Sequence, residues 1–258
     1  METEVVMTKI DTEITKTDKI ELCREDIVGA RPVYYAIRRG DKVKFEANVG
    51  YYHILILIGG EAAFENDGTT VTFTERTVFI PSPDKELTVR ADTDTAILEI
   101  QWDIAAGDAA LLAEYGTKFP VVQKYVDSIQ YIDPNKSQKT ISRMMIPQRI
   151  IPRFSIGSVE SYGHDMVRPH SHPMLDQFFF SFPENDMDVI INGKHIPMAG
   201  NIILHIPLGA DHGVEVYEGK HMHYMWIDFM PDNELGLQRL DASHKVTGTM
   251  RSFDDEQK

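Results

Sequence analysis

Two runs of short β-rich segments, in the same order and about 125 residues apart, constrain this chain more than any other feature. The first run comprises residues 51–58, 70–73, 77–80, 86–90 and 96–102. Turn signals separate them: Gly59-Gly60, Asn66-Asp67-Gly68, residues 81–84 and residues 92–94. The second run comprises residues 178–182, 189–191, 195–197, 202–206, 213–217 and 223–229. Its Asn192-Gly193 pair is a strong hairpin signal, because a type I′ turn needs positive φ at both central positions. Gly68 aligns with Gly193, Phe79-Ile80-Pro81 with His205-Ile206-Pro207, and residues 99–103 with residues 225–229. Short, evenly spaced strands predict a barrel or sandwich, and the repeat predicts two of them in tandem. The fold class is therefore all-β, with a short helical linker at 105–115, where 109–114 combines good helix formers with no turn residue. The predicted layout is an N-terminal barrel over 1–115, a linker over 116–140, a C-terminal barrel over 141–240 and a frayed, charged tail over 241–258.

The charge narrows the partners. The net charge is −14, which disfavours nucleic acid and anionic membrane surfaces, since both are bound through basic faces. It leaves room for an anionic small molecule in a locally basic pocket. No apolar run approaches the length of a membrane span, and METEVVMTKI lacks the apolar core of a signal peptide. A single cysteine, Cys23, excludes an intrachain disulfide and fits a reducing, cytoplasmic setting. Cys23 lies in a charged segment, residues 21–26, with no glycine-rich turn beside it, so a nucleophilic role is not expected.

Eight of the ten histidines fall between His164 and His223. Within RPHSHPMLDQ, His170 and His172 stand two apart, and on a strand such residues share a face. Gln177 follows at the head of the next strand, and His212 in ADHGVEV opens a later one. Together they offer three imidazole nitrogens and one amide oxygen, a neutral set suited to one divalent transition metal ion: Zn, Mn, Fe, Co or Ni. Such a set leaves one or two positions open for water or substrate. His164, His195, His205, His221 and His223 are expected to be structural or surface residues. The N-terminal run carries no counterpart: the matching positions fall near Phe45, Ala47, Tyr52, Glu86 and Leu87, so that barrel is expected to be metal-free.

The two histidine-bearing stretches resemble the first and second cupin motifs, and the tandem arrangement resembles a bicupin of double-stranded β-helix, jelly-roll barrels. KTISRMMIPQ, RPHSHPMLDQFFFSFP, ADHGVEV and HYMWIDFMPDN are similar to segments of the 4-deoxy-L-threo-5-hexosulose-uronate ketol-isomerase family, also called 5-keto-4-deoxyuronate isomerase. The resemblance covers roughly residues 135–232. The related 5-deoxyglucuronate isomerases share the layout, and the first barrel is also similar to the sugar-sensing arm of AraC-type regulators. The resemblance implies that His170, His172, Gln177 and His212 are metal ligands. One departure is plain: the family usually has glutamate where this chain has Gln177.

The expected function is a metal-dependent isomerase acting on a sugar acid, a keto-uronate, or a similar small hydroxy-carbonyl compound. The alternatives are a metal-dependent dioxygenase of the bicupin type and a non-catalytic sugar-binding or regulatory cupin. Arg168, Lys194 and Tyr224 are candidate substrate contacts. No general base stands out among Asp176, His164, Glu215 and Tyr224; alternation turns Asp176 away from Gln177, and Glu215 away from the metal. Exposed barrel edges commonly pair between subunits, so a homo-oligomer is expected.

Overall fold

Strands whose apolar residues alternate fold against one another so that one face of each sheet is dry. The computed structural model of the chain describes residues 5–23 and 26–253. It divides into two units, one spanning Asp11–Asp127 and the other combining the chain up to Ile10 with residues from Ser128 onward. All strand pairings run antiparallel.

In the first unit a six-stranded sheet runs in the order Val121–Lys124, Thr77–Ile80, Tyr51–Gly59, Thr95–Asp103, Ala30–Ile37 and Asp18–Glu21. It faces a four-stranded sheet of Lys42–Phe45, Leu87–Ala91, Ala62–Asn66 and Thr69–Phe73. Leu55, Leu57, Phe64, Phe79 and Val89 fill the space between the sheets. Phe45 and Leu87 pair across the barrel mouth and belong to this apolar core. His53 also faces inward. Its Nδ1 is engaged by Glu99 and its Nε2 by the Glu46 carbonyl at 2.9 Å, while Tyr35 donates to Glu99 at 3.0 Å.

The second unit repeats the plan. Its larger sheet contains Ile202–Ile206, Asp176–Ser181, His221–Phe229, Phe154–Tyr162, Ile141–Ile146 and Ile129–Ile132 in that order, with Met7–Lys9 and Lys245–Val246 at its two edges. The smaller sheet is Asp165–His170, His212–Val216, Asp186–Ile191 and Lys194–Ala199. Phe179, Val189, Leu204, Val214, Met222 and Trp226 pack between them.

The boundaries differ from those read in the sequence. Met7–Lys9 belongs to the second unit because it pairs with Ile202–Ile206. The helix is Asp108–Tyr115, inside the first unit, and Val121–Lys124 continues that unit by pairing with Thr77–Ile80. The stretch read as a linker is thus used up by both barrels. The tail is likewise built in as far as it is described. Asn233–Ser243 is a helix, and Gln130 holds Arg251 through two bonds of 2.7 and 2.9 Å with the backbone. Residues 254–258 lie outside the described residues.

One glycine is set by close approach. A Cβ on Gly157 would lie 2.1 Å from Trp226 Cζ2 and 2.6 Å from the Arg143 carbonyl oxygen. Gly157→Ala must therefore push Trp226 into the barrel. Overpacking of this kind costs about 1–3 kcal/mol, and the thermal midpoint should fall accordingly. Near-ultraviolet circular dichroism should report the displaced indole.

Candidate metal centre

The second barrel's two sheets bring the predicted ligands together at one end of its interior. His170 closes the strand Asp165–His170 and faces His212, the first residue of the neighbouring strand. His172 follows after one residue, and Gln177 enters from the opposite sheet on Asp176–Ser181. Ring centroids are 5.0 Å apart for His170 and His212, 4.7 Å for His172 and His212, and 5.6 Å for His170 and His172. One nitrogen from each imidazole lies within 4.8 Å of the other two.

Hydrogen bonds fix which nitrogens are open. His170 Nδ1 donates to the Arg168 carbonyl at 2.8 Å, and His212 Nδ1 donates to the Ala210 carbonyl at 3.0 Å. A carbonyl can only accept, so the Nε2 of each keeps its lone pair. Burial, with the neighbouring imidazole second, holds His172 down at about 4 and His212 down at about 3. His170 is lowered for the same first reason. All three rings are thus neutral at pH 7, the form a metal requires.

Gln177 is 5% exposed. Its Nε2 donates to Asp228 Oδ1, its pairing partner on His221–Phe229, and its Oε1 is buried with no hydrogen-bond partner. A buried acceptor left unpaired costs about 1–3 kcal/mol. The donor set, three imidazole nitrogens and an unpaired amide oxygen, fits a divalent transition ion. The same bond accounts for glutamine at this position. A glutamate would set a second carboxylate against Asp228, whose own carboxyl is pushed up to about 7, chiefly by burial.

A cavity of about 50 Å³ opens in front of the histidines. Its wall includes residues that the sequence reading passed over: Asp133, Lys136, Asp228, Arg239 and His244. Lys136 Nζ donates to Tyr131 OH at 2.8 Å and lies 3.8 Å from Asp133. Burial, which outweighs Asp133, brings the Lys136 ammonium down to about 8. Arg239 and His244 come from the helix Asn233–Ser243 and its cap. Asp232 caps that helix by accepting from Leu235 N at 3.0 Å. Leu237 and Leu240 seat it on Met174, Leu175 and Met230. The sequence signal was present, an aspartate cap followed by spaced leucines, within the PDNELGLQRL stretch.

The three candidate substrate contacts separate. Tyr224 lines the cavity, deeply buried. Arg168 is exposed, and only its carbonyl serves the site, through His170. Lys194 is exposed at the start of the hairpin strand Lys194–Ala199 and does not line the cavity. Among the weighed bases, Glu215 meets His164 at 2.8 Å and His195 at 3.7 Å, outside the barrel. Asp176 is absent from the cavity wall.

Comparison with solved structures places this architecture. A cupin 2 conserved barrel domain protein from Leptotrichia buccalis matches over 89% of this chain and 98% of its own, at 13% identity and a TM-score of 0.58. This chain has the cupin fold. An IolB-like protein from Salmonella typhimurium LT2 matches with a TM-score of 0.68 and 11% identity, covering 88% of this chain and 94% of that one. The oxalate decarboxylase of Bacillus subtilis, described for its Mn(II) centres, matches with a TM-score of 0.62 and 10% identity over 88% and 77%. No protein-family model matches the sequence, and no curated protein does. No helix among the described residues is long and apolar enough to cross a membrane.

Proposed function

We propose that this cupin is a metal-dependent enzyme that isomerises a small hydroxy-carbonyl acid, with keto-uronates as the substrate class. The observation that carries the reading is the buried, unpartnered Oε1 of Gln177 beside three neutral imidazoles. His170, His172, Gln177 and His212 would hold one Zn, Mn, Fe, Co or Ni ion. When bound, the ion supplies Lewis acidity toward adjacent carbonyl and hydroxyl oxygens. The Mn(II) centres of the Bacillus protein make manganese one reasonable choice.

The chain's own residues divide the remaining work. Asp228 holds the Gln177 amide so that its oxygen faces the cavity. Arg239 reaches the cavity with no ion pair among the described residues, on a chain of net charge −14. It is the group best suited to a substrate carboxylate, in place of the exposed Arg168 and Lys194. Lys136, whose ammonium is brought down to about 8 by burial, is bonded to none of the four ligand side chains and is the proton carrier of this reading.

The test is a screen of keto-uronates and other small hydroxy-carbonyl acids with the metal-loaded protein, with dissolved oxygen followed in parallel. Interconversion without oxygen uptake is expected. Oxygen consumption would turn the reading to a dioxygenase, and tight binding without conversion to a sugar-sensing cupin. Arg239→Gln should raise KM for an acidic substrate about 10- to 100-fold, the value of one charged hydrogen bond. It should leave KM for the corresponding uncharged sugar unchanged.

A further inference from the structure

The larger sheet of the second unit has a second face, and that face carries another group of ligand-type side chains. Met222, Tyr224 and Trp226 of the strand His221–Phe229 point into the barrel core. His221 and His223 alternate with them and share the other face. Glu160, on the adjacent strand Phe154–Tyr162, is paired directly with His223. One ring nitrogen from each histidine and one oxygen of Glu160 lie within 4.8 Å of one another.

Each of the three is held from outside. Glu184 Oε1 meets His223 Nδ1 at 2.6 Å, the carboxylate–imidazole contact that orients a ligating histidine. Arg143 Nη1 donates to Glu160 Oε2 at 2.9 Å and leaves Oε1 turned to His221. The Tyr162 ring stacks on His221 at 4.1 Å and 5°. His221 Nε2 is nonetheless buried without a hydrogen bond, although Glu160 Oε1 is only 3.4 Å away. Two ligand atoms each about 2.1 Å from one ion, at a tetrahedral angle, stand about 3.4 Å apart. The spacing fits two atoms that share a cation.

We infer that Glu160, His221 and His223 form a second divalent-cation site, distinct from the three-histidine centre and independent of it. Two imidazoles and one carboxylate suit zinc, cobalt or nickel. The Glu160 and His221 side chains are 14% and 17% exposed, so an ion can enter from solvent. Arg143 opposes a bound cation, so the site is the weaker of the two. An ion here fastens two neighbouring strands, Phe154–Tyr162 and His221–Phe229, and its effect is on stability.

The experiment uses full-length protein in which His170→Ala and His212→Ala have removed the other centre. Co(II) is titrated into this metal-stripped variant and followed by calorimetry, visible absorption and thermal midpoint. One ion per chain and a rise in midpoint are expected. Adding Glu160→Gln should weaken binding more than tenfold, and adding His221→Gln should abolish it along with the rise. If His221→Gln fails to fold, Glu160→Gln gives the same decision. The inference is overturned if the double-alanine protein binds no Co(II), or binds it equally well after either added change. Because the three-histidine centre is absent throughout, the outcome bears on this site alone.

Discussion

His212→Ala should leave a folded protein that no longer retains a metal ion and no longer turns over a keto-uronate. His212 stands between the other two imidazoles, with ring centroids 5.0 and 4.7 Å from them. It is 2% exposed and its Nδ1 is committed to the Ala210 carbonyl, so nothing else can supply its Nε2. What remains is two neutral imidazoles and one neutral amide oxygen, with no carboxylate among the candidate ligands. Loss of a partner one shell further out typically costs 10- to 100-fold in metal affinity. Loss of a direct ligand must exceed about 100-fold, enough to strip the ion during gel filtration. The fold should persist, because removing the ring gives up one hydrogen bond, to the Ala210 carbonyl, and strands no buried charge. Metal content after gel filtration, far-ultraviolet circular dichroism and turnover form the measurement. Turnover should match that of chelator-treated wild type, and adding metal should restore the wild type but not the variant. Wild-type activity in either metal-free protein would end the enzymatic reading.

The candidate ligands were legible because each follows from a short-range rule. His170 and His172 are two apart, although the strand itself ends at His170; Gln177 is the second residue of its strand and His212 the first of its own. The cavity wall was not legible. Asp133 and Lys136 follow the short strand Ile129–Ile132 in a turn with no hydrophobic period, and only tertiary packing buries them. Arg168 and Lys194 drew attention by lying near the motif. Strand geometry sends both outward, and an arginine 71 positions after Arg168, on a helix seated by Leu237 and Leu240, reaches the cavity instead. The edge strand Met7–Lys9 pairs with residues nearly 200 positions later, a register no local pattern encodes. For His221 and His223 the sequence predicts structural or surface residues, since a His-x-His pair gives no sign of the glutamate on a neighbouring strand.

Lys136→Met should be the most destabilising single change in the cavity wall, at about 3–5 kcal/mol, because it strands Asp133 as a buried charge. The Lys136 and Asp133 side chains are 7% and 6% exposed, so solvent screens Asp133 poorly once its partner is lost. His244 is 3.8 Å from Asp133, but burial drives its own protonation down, so it stays neutral and offers little. Removing the acid as well, in Asp133→Asn/Lys136→Met, should recover most of the loss, since a neutral pair leaves no uncompensated charge. Deprotonation differs from the substitution, because a neutral amine still donates to Tyr131 and methionine cannot. The lysine's pKa falls from 10.5 in the open chain to about 8 in the fold, so between these values the unfolded chain binds more protons. Stability then rises with pH through this window. Relative to Lys136→Met, the wild type should gain on the order of 3 kcal/mol between pH 8 and 10.5, as 1.36 kcal/mol per unit implies. Urea unfolding of both proteins at pH 7.5 and pH 10 measures the difference. Turnover separates the two roles of the residue. Asp133→Asn/Lys136→Met should regain stability yet remain slowed by about 10²–10⁴-fold, the usual worth of a proton carrier. A double variant that regains both would make Lys136 a purely structural counter-ion and leave Tyr224 and Asp228, which also line the cavity, as candidates for the base.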